Sequence, residues 1–323
     1  MLDERQLLAL LSLPGIGRAT GRAILEASGH GPIDMQALVD LIGSMKLPSR
    51  GHAKPQSWEL ERALSKADQV LERCGGEGIQ VIASGAAAFP QRLALAHDTP
   101  LLLFVRGPIP ALSRERAVAV IGTRTPSPAG FSLAAGMAAV LSDIKASVVS
   151  GLALGCDTAA HQGCLEAGGV TIAVLAHGLD MIYPAENAGL AERIVLQGGC
   201  LVSEYPPSTR PTRGSYIDRD RIQSGLSDLV LVIESSDKGG SMHTARFALQ
   251  QGRRLACVSP EALGGDAPSS RGNQTLLDEH GAWALTVPED LIPLVQSLAP
   301  RPHEKGPAAP LVADEGSTQL PLL

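Results

Sequence analysis

Aromatic side chains are scarce in this chain of 323 residues: four Phe, three Tyr and two Trp make up 3% of it. So few rings exclude a continuous row of stacking platforms along a strand of unpaired bases. Cations are not in surplus either. The formal net charge is -6, so a general positive field is excluded and any nucleic-acid site has to be a local concentration of arginine. The five cysteines, Cys74, Cys156, Cys164, Cys200 and Cys257, are odd in number and scattered, without a CxxC pair. That excludes the usual disulfide frameworks and zinc or redox spacings, and it suits a reducing cytoplasm. No apolar run approaches the roughly 20 residues of a membrane span, and the opening Met-Leu-Asp-Glu-Arg has no signal-peptide pattern. A cytoplasmic chain without membrane contacts is expected. A GxGxxG fingerprint is also missing, and no cofactor is expected.

What the chain does have is a repeated pattern of buried strand, glycine turn and helix. Candidate strands lie at 117–121, 146–150, 170–175, 200–203, 228–233, 254–258 and, more weakly, 283–287, with helices between them. Alternation of this kind predicts an α/β fold, an extended Rossmann-like and mostly parallel sheet covered by helices on both faces. Asp157 and Asn187 stand where N-caps belong, and Gly168-Gly169 and Gly198-Gly199 where helices should end. Ahead of this core, residues 1–45 read as a small helical module. Its Pro14-Gly15-Ile16-Gly17 turn fits a helix-hairpin-helix pattern, either as a packed turn or as a backbone-phosphate contact through Gly15, Gly17 and Arg18. Residues 46–78 read as a linker and a charged connecting helix, 79–298 as the main domain and 299–323 as a disordered Pro/Ala-rich tail.

Four groups of residues carry possible chemistry. Gly122-Thr123-Arg124 closes the first core strand, where open α/β sheets bind ligands, and the Arg124 fork suits a phosphate. Ser150-Gly151 closes the second. Asp157 follows at a helix start and repels phosphate there, so this loop offers Ser150 and backbone amides to sugars or bases instead. Lys238-Gly239-Gly240-Ser241, with Thr244 one turn on, opens a later helix and is the preferred phosphate cradle. Finally, Arg210, Arg213, Arg219 and Arg221 lie in one loop-to-helix stretch with Tyr205 and Tyr216 as candidate stacking rings. Asp157 and His161 are spaced as a helical acid/base pair, but capping and a packed histidine explain them as well. Cys156, His161 and Cys164 lack a fourth partner for zinc, and no metal site is expected.

Taken in order, Ile121-Gly-Thr-Arg124, Ser150-Gly-Leu-Ala with Asp157-Thr-Ala-Ala-His161, Gly178-Leu-Asp-Met-Ile-Tyr-Pro184, Ser203-Glu-Tyr-Pro-Pro207, Arg221-Ile-Gln-Ser-Gly-Leu-Ser227 and Gly240-Ser-Met-His-Thr-Ala245 resemble the DprA (Smf) DNA-processing family. The resemblance covers about 80–280. It implies a non-enzymatic, homodimeric protein that binds single-stranded DNA and loads it onto the RecA recombinase, as in natural transformation. The sequence departs from that family in carrying Ala185 where a cation usually follows Tyr-Pro. Asp218-Arg-Asp-Arg221 stands in place of Arg-Arg-Asn-Arg, and the C-terminal winged helix of many members is not expected here. The added acids predict weaker DNA binding than is usual for the family. An alternative is a nucleotide-sensing or nucleotide-hydrolysing pocket like that of the LOG phosphoribohydrolases, in a defence or mobile-element setting. Gly239-Gly240-Ser241 resembles their PGGxGTxxE loop, yet Ala245 and Arg246 occupy the region of its glutamate.

Overall fold

The computed structural model describes residues 2–29, 34–45, 55–96, 98–265 and 267–298. Most of the expected linker (46–54) and the whole expected tail (299–323) fall outside them. Seven strands, β3 (Ala117–Ile121), β4 (Ser147–Ser150), β5 (Thr171–Leu175), β6 (Cys200–Ser203), β7 (Leu229–Val232), β8 (Arg254–Val258) and β9 (Trp283–Leu285), are parallel. Two earlier ones, β1 (Ile79–Ala83) and β2 (Leu102–Arg106), extend the β6 edge in antiparallel fashion. Among the described residues they form one sheet in the order β1-β2-β6-β5-β4-β3-β7-β8-β9.

The central strands are apolar on both sides because both sides are covered. Ala117, Ala119 and Ile121 of β3 point into one cluster, against α9 (Arg213–Gly225), α10 (Ser241–Gln250) and α11 (Arg271–His280). Val118 and Val120 point into the other, against α6 (Pro128–Asp143), α7 (Cys156–Glu166) and α12 (Leu291–Gln296). Strand sterics favour the β-branched residues found here, and each fully buried one contributes about 1.5–3 kcal/mol. On the face shared with α6 and α7, α8 (Ala188–Leu196) and the N-terminal helices α1 (Glu4–Ser12), α2 (Arg18–Ala27), α3 (Met35–Ser44) and α4 (Ser57–Gly76) pack over β1, β2, β5 and β6 in a continuous cluster. Asp3 starts α1 with a capping box to Gln6.

Of two expected caps, one falls on another residue and one stands in place with its side chain turned elsewhere. The N-cap of α7 is Gly155, not Asp157, whose carboxylate reaches back to the amides of Gly151 and Ala153 at 3.1 and 3.2 Å. Asn187 does stand at the start of α8, but its side-chain amide donates to Leu152 O at 2.8 Å and Thr158 Oγ1 at 2.9 Å rather than capping that helix. Both side chains are spent on ordering the loop after β4, so long-range contact overrides local capping.

Asn273, fully buried on α11, ties the carboxyl ends of β7 and β8 together. Its Nδ2 donates to Ile233 O and Val258 O, both at 2.8 Å, and its Oδ1 accepts from Ser235 N at 2.9 Å. Replacing it with alanine strands three buried backbone groups, so Asn273→Ala is expected to lower unfolding free energy by about 2–4 kcal/mol in chemical denaturation.

Candidate nucleic-acid interface

From β3 the chain steps outward through β4, β5 and β6, then returns to lay β7 on the other side of β3. The loops leaving β3 and β7 therefore diverge and open a crevice at the carboxyl end of the sheet, the usual ligand position in such folds. The result is a cleft of about 380 Å³, lined on one side by Gly122, Thr123 and Arg124, on another by Ser235, Gly239, Gly240, Ser241 and Thr244, and walled by α9.

The β3 loop is held from below. Thr123 N donates to Glu234 O at 2.8 Å, and Ser127 N and Oγ both donate to the buried Glu234 carboxylate at 2.9 Å. Gly122 is required here because a β-carbon would run into Cys156 Sγ. The β7 loop is fixed by Asn273, and Ser241 Oγ donates to Ser235 Oγ at 2.8 Å. No side chain caps α10, whose first turn lies at the cleft. With both loops rigid, Arg124 is left exposed over the opening, its guanidinium 5.3 Å from the ring centre of Tyr216. This cation–π contact positions the charge without neutralising it.

On α9, Tyr216, Arg219, Asp220 and Gln223 follow a helical i, i+3, i+4, i+7 stripe and all face the cleft. Arg219 is buried beneath Tyr216. Its Nη1 donates to Gly151 O at 2.8 Å and Val174 O at 2.7 Å, and its Nε to Asp220 Oδ1 at 3.0 Å. Gly151 must be a glycine, since a β-carbon there would overlap the Arg219 guanidinium. Two carboxylates balance that buried cation. Burial raises the pKa of Asp157 and pushes that of Asp220 up to about 6, in each case against the pull of Arg219.

The structure separates the predicted site residues into those that meet and those that do not. Gly122, Thr123, Arg124, Gly239, Gly240, Ser241, Thr244, Tyr216 and Arg219 line one cleft. Arg210, Arg213 and Lys238 are exposed, and the charge of Arg213 adds to burial and Arg246 in lowering the pKa of His243 on α10. Ser150 and Gly151 are not available as ligands: both are buried, Ser150 Oγ donating to Val120 O at 2.7 Å and Gly151 N to Asp157. Arg221 is likewise no groove residue. It is 1% exposed, on the opposite side of α9, with its Nη2 on Glu204 at 2.5 Å and its Nε on Asp98 at 3.0 Å.

Arg18 belongs to the same cluster, within 3.5 Å of Asp98, Glu204 and Asp218. It staples α2 to the core instead of standing free for a phosphate. Tyr205 joins them, donating to Asp218 at 3.3 Å, so it stacks on nothing in the cleft. Gly15 and Gly17 remain exposed in the α1–α2 turn, Gly15 with φ +74°. The acid/base pairing of Asp157 and His161 is not formed. His161 bonds to Thr171 Oγ1 at 2.6 Å, and burial lowers its pKa to about 3. Sequence reading missed Glu234, Asn273 and Gln223. Only Glu234 left a signal, an acid at the end of an otherwise apolar strand.

Residues 80–296 match the family model of DNA recombination-mediator protein A. The chain belongs to this family. It is 34% identical over 233 residues to DNA processing protein DprA of Bacillus subtilis, covering 72% of this chain and 77% of that protein. To protein Smf of Escherichia coli it is 38% identical over 216 residues, 67% of this chain and only 56% of Smf. The structure of DprA from Streptococcus pneumoniae superposes with a TM-score of 0.74 at 25% identity, over 90% of this chain and 98% of that one. That of DNA processing protein A from Helicobacter pylori, described for its single-stranded DNA binding mode, gives 0.60 at 29%, over 68% and 95%.

The two cleft arginines should separate cleanly in a stability measurement. Arg219→Ala leaves two carboxylates and two carbonyls without their buried cation and is expected to cost about 3–5 kcal/mol. Arg124→Ala, at an exposed position, is expected to stay within about 0.5 kcal/mol of the parent in the same denaturant titration.

Proposed function

We propose that this chain binds single-stranded DNA in the cleft at the carboxyl ends of β3 and β7, without chemistry of its own. The strand is then loaded in the cytoplasm onto the RecA recombinase, and the chain acts as a homodimer, as the family resemblance implies. The observation that carries the DNA reading is Arg124: an exposed guanidinium, oriented by Tyr216, over a cleft lined by Gly122, Gly239, Gly240, Ser241 and Thr244. A phosphodiester needs this combination, a planar fork with a close backbone approach. Arg210, Arg213 and Lys238, exposed and close in sequence to lining residues, are included as further phosphate contacts. Family membership and the Helicobacter pylori relative support the choice of ligand. Hydrolysis of a nucleotide finds no support, since Ala245 is buried and supplies no acid or base where the glutamate would stand.

The reading is tested by fluorescence anisotropy with an oligothymidine at two salt concentrations. Arg124→Ala is expected to weaken binding about 10- to 100-fold, and its log–log salt slope to fall by about one unit. Unchanged, salt-sensitive binding by that variant would remove the site assignment.

A further inference from the structure

Asp220 has no place in a simple phosphate pocket, yet its carboxylate lines this one. One oxygen accepts from Arg219 Nε at 3.0 Å, and the Gln223 amide, turned to satisfy its neighbours, donates to the same oxygen at 3.1 Å. Arg219 cannot neutralise it alone. The Arg219 Nη1 is committed to two backbone carbonyls, and the Asp157 carboxylate on α7 faces the same guanidinium and repels Asp220. The charged side chains lining the cleft are therefore Arg124 from the β3 loop, Arg219 and Asp220 from α9, and Asp157 from α7. From the β7 loop and α10 come only neutral groups, Ser235, Ser236, Gly239, Gly240, Ser241 and Thr244. Two cations meet two anions, and a phosphate entering about 380 Å³ lies within a Debye length, ~8 Å at physiological salt, of both carboxylates.

Asp157 is engaged by the amides of Gly151 and Ala153 and stays with the loop it orders. Asp220 lines the cleft, and among the described residues no hydrogen bond reaches its second carboxylate oxygen. We infer, resting on the DNA-binding reading above, that the cleft takes up a phosphodiester together with one proton and that Asp220 is the group that holds it. The proton comes from solvent, the neutral carboxyl donates its O–H to a phosphate oxygen, and no covalent bond is made or broken. The cleft side chains pass from zero to one net positive charge, which the single negative charge of the phosphodiester offsets. Burial already holds Asp220 near pH 6, so the cost of protonating it at neutral pH is small. By linkage, affinity rises as pH falls toward that value and levels off below it.

The test is the affinity of the full chain for a rhodamine-labelled oligothymidine, whose bases do not titrate in this range, measured from about pH 7.5 to 5.5. Parent protein is expected to bind about tenfold more tightly at pH 6 than at 7.5. Asp220→Asn should bind about tenfold more tightly than the parent at pH 7.5 with no pH slope. Asp218→Asn removes the same charge from the Arg18 cluster outside the cleft, and His243→Ala removes the nearby imidazole; both should keep the slope. If Asp220→Asn does not fold, calorimetry of the parent in buffers of different ionisation enthalpy still decides, with uptake close to one proton expected at pH 7.

A flat parent profile, an Asp220→Asn variant that retains the slope, loss of the slope in either control, or no proton uptake overturns the inference while leaving the DNA site intact. Failure of the parent and Asp220→Asn to bind oligonucleotide at any pH would instead overturn the DNA reading and this one with it.

Discussion

The architecture of the cleft depends on one buried cation. Arg219 comes from α9 and bonds to the carbonyl ends of β4 and β5, through Gly151 and Val174, so a helix on one face of the sheet is locked to the loops at its carboxyl edge. Burying a guanidinium away from water is costly unless every donor is met and the charge is balanced. Most of what surrounds it answers that need: a glycine at 151, where any side chain would collide, and two carboxylates, Asp157 and Asp220. Asp157 is turned away from its own helix cap by the same demand. With Arg219 consumed internally, Tyr216 lies above it, 5.9 Å from ring centre to guanidinium, and presents its other neighbour, Arg124, to solvent. The exposed charge is fixed because a hidden one is.

A second ionic cluster does unrelated work on the other side of α9. Arg18, Arg221, Asp98, Glu204 and Asp218 join the N-terminal helices to the core. Burial raises the pKa of Glu204 even with two arginines beside it, a sign that the desolvation cost there is substantial. Asp218, which at first weighs against nucleic-acid binding, is matched by Arg18 and lies outside the cleft. The departure from the family's basic run is thus two different events: one acid recruited to hold the N-terminal module, the other placed in the cleft.

Much of the fold was legible because the parallel strands are buried on both faces and announce themselves as short runs of Val, Ile, Leu and Ala ended by glycine. Gly122-Thr123-Arg124 and Gly239-Gly240-Ser241 were legible for the same reason, being turns at strand ends. What was not legible is which way α9 faces. Arg219 and Arg221 are two residues apart, about 200° around a helix, and cannot line one groove; composition alone counted them together. Ser150 looked like a ligand because it ends a strand, but a strand-end hydroxyl within reach of a neighbouring carbonyl, here Val120 O, satisfies itself. Asn273 acts through Ser235, Ile233 and Val258, 38, 40 and 15 residues away in sequence, and Gln223 reaches Gly151 on the β4 loop as well as Asp220 on its own helix, so neither contact set shows in the sequence around the residue.

Nucleic acid is proposed to be held by the two loops at the β3/β7 switch point and not by the arginines of the α2–α9 cluster. Amide hydrogen exchange with and without an oligothymidine measures this directly, peptide by peptide. Slowed exchange is expected in peptides spanning 122–125 and 236–241, with 15–18 and 98–101 unchanged. Protection appearing at 15–18 while the two cleft loops exchange as in the free chain would contradict it.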